Sequence, residues 1–188
     1  MTSGGIKMAR VPYVNRNDLN EDGQIMYDRI RNDRNSLEVG LQFRALMNRP
    51  KPASYLTSLG SELRFHSSMP DSIKELVIIL VAREWNSDIE WTGHSLLAAQ
   101  AGISYETIEG IRTHNFTCLT ENEKTIASFV QQMLLQKEVS DDVFSAVHSN
   151  LGDDGVVDLT LTVCYYTAVS LAQIALRPEM DEGRVSTL

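Results

Sequence analysis

Along most of the chain, apolar residues recur at spacings near three and four with polar residues between them, the period of a one-sided helix rather than of a strand. The stretch up to about Asn17 reads as loop. Ile25, Tyr27 and Ile30, then Leu37, Leu41 and Ala45, predict helical segments with polar interruptions. Pro50 and Pro52 suit the first turn of a helix, and a helix from there through Phe65 should bury Tyr55, Leu56, Leu59 and Leu63. Pro70 punctuates the chain, and Asp71 or Ser72 is placed to cap a helix from Ile73 to about Trp85. Its residues from Leu76 to Ala82 are apolar on every face, so that helix belongs at the centre of the domain. The same run read alone would fit a buried strand; its length, the lack of turn residues and its helical flanks favour helix.

After Asn86-Ser87-Asp88, a further helix carries Ile89, Trp91, Leu96, Leu97, Ala98 and Ala101 and stops at Gly102, and Ser104 opens a short one. Thr120 and Glu123 form a capping box for a helix with the stripe Ile126, Phe129, Val130, Met133 and Leu134. Ser140-Asp141-Asp142 caps the next, which should bury Val143, Phe144 and Val147, and Gly152 to Gly155 reads as a turn. From Val156 to Leu176 the chain is rich in β-branched and aromatic residues, a strand preference by propensity. It also runs without a turn signal for longer than strands usually do, a length natural for a helix. Nothing of low complexity and no clear linker divides residues 1–188, so a single domain is expected.

Composition narrows the classes. Seventeen Lys and Arg against 25 Asp and Glu give a formal charge of -8, which disfavours nucleic acid as a partner because nothing balances a phosphate backbone. Two cysteines, Cys118 and Cys164, are too few for a disulfide framework and form no Cys-x-x-Cys; each reads as a small apolar filler. The longest uninterrupted apolar run, Leu76 to Ala82, is well short of the roughly 20 residues that cross a bilayer, so no membrane partner is expected. Met1 to Lys7 lacks the pattern of a secretory signal, and Ser186-Thr187-Leu188 lacks the basic middle residue of a peroxisomal tripeptide. A cytoplasmic location is the expectation.

Unusual residues concentrate in one region. Glu90 and His94 are four apart, which on a helix puts a carboxylate and an imidazole on one face, where one orients the other or shares its proton. Spacing of this kind is more often structural than catalytic. Glu75 heads the apolar helix and its next seven residues are all apolar, so it sits in surroundings poor in water. Arg64 and Arg83 are candidates to hold an anionic substrate group or to form structural ion pairs. Trp85 and Trp91 read first as core anchors, with Trp91 kept as a substrate contact. A metal site built on Glu90, His94 and His66 is disfavoured, since neither a His-Glu-x-x-His motif nor paired cysteines support it. His114 and His148 lie in polar surroundings.

Taken together, Arg64-Phe65, Pro70, Lys74-Glu75-Leu76-Val77 through Arg83-Glu84-Trp85, Glu90-Trp91-Thr92-Gly93-His94, Ala101-Gly102-Ile103-Ser104 and Ile108 resemble the carboxymuconolactone decarboxylase family of the AhpD-like superfamily. The match is strongest over 64–112. Weaker similarity lies upstream at 43–50 and downstream at Asp158-Leu159-Thr160 and Tyr165-Tyr166. The resemblance implies an all-α fold, which makes the closing segment a helix, and assembly into homotrimers or homohexamers.

The peroxidase branch of that superfamily carries a Cys-x-x-Cys ahead of the histidine, with a glutamate on the preceding helix. Here the matching positions are Ser87, Glu90, His94 and Glu75, so both thiols are missing and the sulfenate and disulfide of a thiol peroxidase cannot form there. What the resemblance implies instead is a cofactor-free acid/base enzyme that decarboxylates, or transforms the lactone of, a small cyclic carboxylated compound of the aromatic-catabolism type. His94 would donate or shuttle the proton, Glu90 would set its tautomer and charge, and Glu75 would be the second acid/base group, with Arg64, Arg83 and Trp91 against the substrate. The alternatives are a peroxidase working through other thiols and a non-catalytic helical oligomeric binding protein.

Overall fold

The computed structural model describes residues 9–188; the expectation drawn from Met1 to Lys7 lies outside them. Among the described residues the protein is all-α, with no strand. Eight helices follow in order: α1 (Glu21–Asp33), α2 (Leu41–Leu46), α3 (Pro50–Phe65), α4 (Asp71–Glu84), α5 (Asp88–Gln100), α6 (Tyr105–Arg112), α7 (Glu121–Gln131) and α8 (Asp141–Leu176). A π-helical turn, Gln132–Gln136, follows α7. The chain forms two compact units, one of residues up to Glu62 with Leu171–Val185, the other of Leu63–Ser170 with Ser186–Leu188.

In the first unit, Tyr27, Ile30, Val39, Met47 and Ala53 make the core, with Phe43 and Leu46 packed on it. The Arg34 guanidinium lies 4.4 Å from the Phe43 ring centre and donates to the Thr57 carbonyl. Two expectations fail here. The 25–45 apolar set is split by a turn, and Leu37, between α1 and α2, is 94% exposed. In α3 Leu63 is buried as expected and Leu56 half-buried, but Tyr55 and Leu59 point outward, and small residues, Ala53, Ser54, Thr57 and Ser61, make up most of the rest of the buried face. Two of the hydroxyls on that face find a carbonyl one turn back: Thr57 donates to Ala53 and Ser61 to Thr57.

The second unit is built around α4. Every residue from Ile73 to Ala82 is buried, and α4 packs against α5, α6 and α7. At about 1.5–3 kcal/mol for each fully buried aliphatic side chain, Leu76, Ile78 and Ile79 are among the largest contributors to its stability. Pro70, rather than Asp71 or Ser72, occupies the N-cap position of α4. Gly102 (φ +94°) stops α5, where Ile103 N donates to the Ala98 carbonyl. Thr120 and Glu123 complete the capping box of α7 in both directions.

The closing segment is a helix despite its β-branched content. Where a Gly152 to Gly155 turn was expected, α8 breaks at Gly152 alone (φ 69°, ψ −173°) and continues. Val147 is buried, but Phe144 is 45% exposed and stacks on His148. Both cysteines are exposed rather than core fillers. Counting uninterrupted apolar residues also missed that α8 contains an 18-residue window of mean hydropathy 1.5, enough by length and composition alone to cross a membrane. In the structure 39% of that window is buried, and α8 turns Leu159, Thr162, Val163, Tyr165 and Tyr166 inward.

Candidate active site

Glu75 sits on the second turn of α4, and Glu90 and His94 sit one turn apart on α5. All three are buried, each 5% exposed. His94 Nδ1 lies 2.7 Å from Glu75 Oε2, and its Nε2 lies 3.6 Å from Glu90 Oε2. The i,i+4 pair read from the sequence therefore closes on a second carboxylate from another helix. Two carboxylates buried together are costly unless each meets a proton or a cation. The imidazole between them is the group that meets both.

A fourth residue completes the cluster. The Tyr166 hydroxyl of α8 lies 3.3 Å from His94 Nε2, and the two rings meet edge to face with centres 5.2 Å apart. Burial pushes the Tyr166 phenol well above its ordinary range, and the Glu90 carboxylate pushes it further, while the Arg64 guanidinium opposes both. The hydroxyl therefore keeps its proton at neutral pH. Nothing in the local pattern of α8 marks Tyr166 as part of a site, and it lies 72 residues from His94 in sequence.

The cluster opens on one side. A cleft of about 430 Å³ is lined by Arg64, Phe65, Lys74 and Glu75, with Leu97 and Gln100 across from them, a size suited to a small organic molecule. Of the three clustered acid/base residues, Glu75 is the one on the cleft wall. Lys74 is held in place, its Nζ donating to Asp71 (2.6 Å) and to the Arg64 carbonyl at the end of α3 (2.8 Å). The Arg64 guanidinium rests on the Phe65 ring, 5.2 Å from its centre, and within the described residues it makes no ion pair.

Of the other residues read from the sequence, Arg83 lies eight positions along α4 from Glu75, about 12 Å at the helical rise. Its Nε donates to the Arg112 carbonyl at 2.5 Å, and its Nη1 donates to Asn86. Trp91 is 1% exposed and packed as a core anchor. Trp85 donates to Thr167 Oγ1. His66 is exposed on the turn after α3, and the described residues contain no cluster of His, Cys, Asp or Glu arranged to hold a metal ion. Ser87, at the N-cap of α5, is buried.

No protein-family model matches the sequence, and no curated protein does. Solved structures do match in shape. One is an alkylhydroperoxidase AhpD core, an uncharacterized peroxidase-related protein from Ralstonia eutropha JMP134, with a TM-score of 0.77 at 11% identity, covering 97% of this chain and all of that one. Another is an uncharacterized peroxidase-related protein from Silicibacter sp. TM1040, with a TM-score of 0.74 at 13% identity, covering 97% of this chain and 96% of that one. The chain has the AhpD-like helical fold.

Proposed function

We propose that the protein is a cofactor-free acid/base enzyme that decarboxylates a small cyclic carboxylated compound, or transforms its lactone, in the manner of the carboxymuconolactone decarboxylases that its sequence resembles. The observation that carries this reading is the contact of Glu75 with His94 at the wall of a cleft that also holds the Arg64 guanidinium. A guanidinium that meets no carboxylate among the described residues suits a substrate carboxylate. Loss of carbon dioxide breaks one C–C bond and leaves its electron pair as an enolate-like carbanion, which must be protonated at carbon. Glu75, on the cleft wall, delivers that proton and takes another from His94 behind it, while Glu90 balances the charge of the imidazole. Positioned proton transfer of this kind is worth about 10²–10⁴-fold in rate.

Peroxide reduction, suggested by the names of the two structural neighbours, is disfavoured because Ser87 and Glu90 stand where a redox pair of thiols would be. The reading is tested by incubating the purified protein with 4-carboxymuconolactone and following ultraviolet absorbance and carbon dioxide release. Turnover that is lost in Glu75→Gln supports it, and no turnover at high enzyme concentration rejects it for that substrate.

A further inference from the structure

His94 links Glu75 to Glu90 and Tyr166, so its tautomer decides which way a proton can run. Nδ1 faces Glu75 at 2.7 Å. Nε2 faces two oxygens, the Tyr166 hydroxyl at 3.3 Å and Glu90 Oε2 at 3.6 Å. A carboxylate can only accept a hydrogen bond, whereas a phenol that keeps its proton can donate one. The nearer of the two oxygens is the phenol. Its ring meets two neighbours edge to face, His94 at 5.2 Å and Tyr165 at 5.0 Å between ring centres. Burial and the neighbouring Glu90 carboxylate keep its proton on oxygen.

We infer that Tyr166 is a positioning residue: its hydroxyl donates to His94 Nε2, which leaves the proton of the neutral imidazole on Nδ1, aimed at Glu75 and through it at the cleft. This deepens the acid/base reading of the same cluster and rests on it for its purpose, but not for its detection. A proton reaches Glu75 when the ring, protonated at both nitrogens and balanced by Glu90, gives up the one on Nδ1; Tyr166 keeps its own proton throughout.

The test needs no substrate. The full-length ¹⁵N-labelled protein in mildly alkaline buffer is examined by long-range ¹H–¹⁵N correlation of its imidazoles, with His94 assigned by the signals lost in His94→Gln. The expected pattern is a protonated Nδ1 and a bare Nε2. In Tyr166→Phe, which keeps both edge-to-face contacts, Nε2 is left facing Glu90 alone, and the proton should move to Nε2. A neutral His94 protonated on Nε2 in the wild type, or a Tyr166→Phe pattern identical to wild type, overturns the inference. The wild-type spectrum decides on its own if the variant fails to fold. Failure of the lactone assay leaves the tautomer result standing, and the reverse also holds.

Discussion

The Nδ1 of His94 and the Oε2 of Glu75 lie 2.7 Å apart although 19 positions separate them in sequence, and both are buried. The contact exists because α4 and α5 are neighbouring helices packed side by side, so the head of one faces the middle of the other. In water such a pair would contribute little; in a buried setting its partners are strongly interdependent, because a lone buried charge has nothing to replace lost hydration.

Glu75→Gln keeps the volume and hydrogen bonding but removes the carboxylate. Turnover of the lactone should fall by roughly 10²–10⁴-fold, the range for losing a positioned acid/base group, with folding stability lowered by only about 1–3 kcal/mol. Stopped assays and urea unfolding measure the two. His94→Ala should cost more stability, roughly 3–5 kcal/mol, since it leaves two carboxylates buried without the group between them.

Arg64→Ala separates binding from chemistry. The side chain is half-buried, lies over the Phe65 ring and makes no ion pair among the described residues, so the melting temperature should scarcely move. KM for a carboxylated substrate should rise by about tenfold or more, the equivalent of one charge-assisted hydrogen bond. An unchanged KM would remove Arg64 from the substrate site.

Much of this was legible in the sequence because helices announce themselves locally. Pro50 fixed the start of α3, the Thr120 and Glu123 pair the start of α7, and Gly102 the end of α5. Length outweighed β-branched propensity over 156–176. Glu90 and His94 could be paired from spacing alone, whereas Glu75 was joined to them only through the resemblance. What escaped was whatever depends on which face of a helix meets another. Tyr55 and Leu59 looked like core because they are apolar, but the small hydroxyl face of α3 is the one turned inward. Tyr166 entered only within the weaker downstream similarity, and its place in the cluster escaped for the same reason, since only the packing of α8 brings its hydroxyl to His94.

Any thiol chemistry would have to come from cysteines outside the cluster. Cys118 is exposed beside α6, its Sγ 3.1 Å from the Glu106 carbonyl, and Cys164 is exposed on α8. Replacing both by Ser should leave lactone turnover within about twofold and the unfolding midpoint nearly unchanged, as expected for surface positions. Peroxide consumption that vanishes in the double variant would restore a redox role.

Asp158 gives the protein an acid-sensitive point. Burial alone would raise its pKa, but hydrogen bonds from the Ser68 backbone and from the Ser68 and Ser67 hydroxyls outweigh it and hold the carboxyl below its ordinary value. All three donors converge on Oδ2, at 2.7, 2.9 and 3.0 Å. The depressed native pKa means the stabilisation is complete above the unfolded value of about 3.9 and is lost as pH falls through the native one. Asp158→Asn should therefore cost about 1–3 kcal/mol at neutral pH and progressively less against wild type as the pH drops toward 3. A difference that stays constant over that range would show that the charge of Asp158 is not what anchors the turn before α4.

Gly110 tests the packing where the chain after α6 folds back on that helix. A Cβ at this position of α6 would come within 2.5 Å of Cys118 Sγ and 2.6 Å of the Asn115 carbonyl oxygen, distances that no ordinary contact tolerates. Gly110 in turn accepts a hydrogen bond from Asn115 N at 2.7 Å, so the chain after α6 folds back directly over the glycine. In an open helix, Gly→Ala would stabilise by about 1 kcal/mol; here overpacking should reverse the sign and cost roughly 1–3 kcal/mol. Removing only the sulfur, in Gly110→Ala with Cys118→Ala, should recover part of the loss but not all, because the carbonyl belongs to the backbone and cannot swing aside. Thermal unfolding of the single and double variants measures both steps, and full recovery in the double variant would assign the whole clash to the thiol.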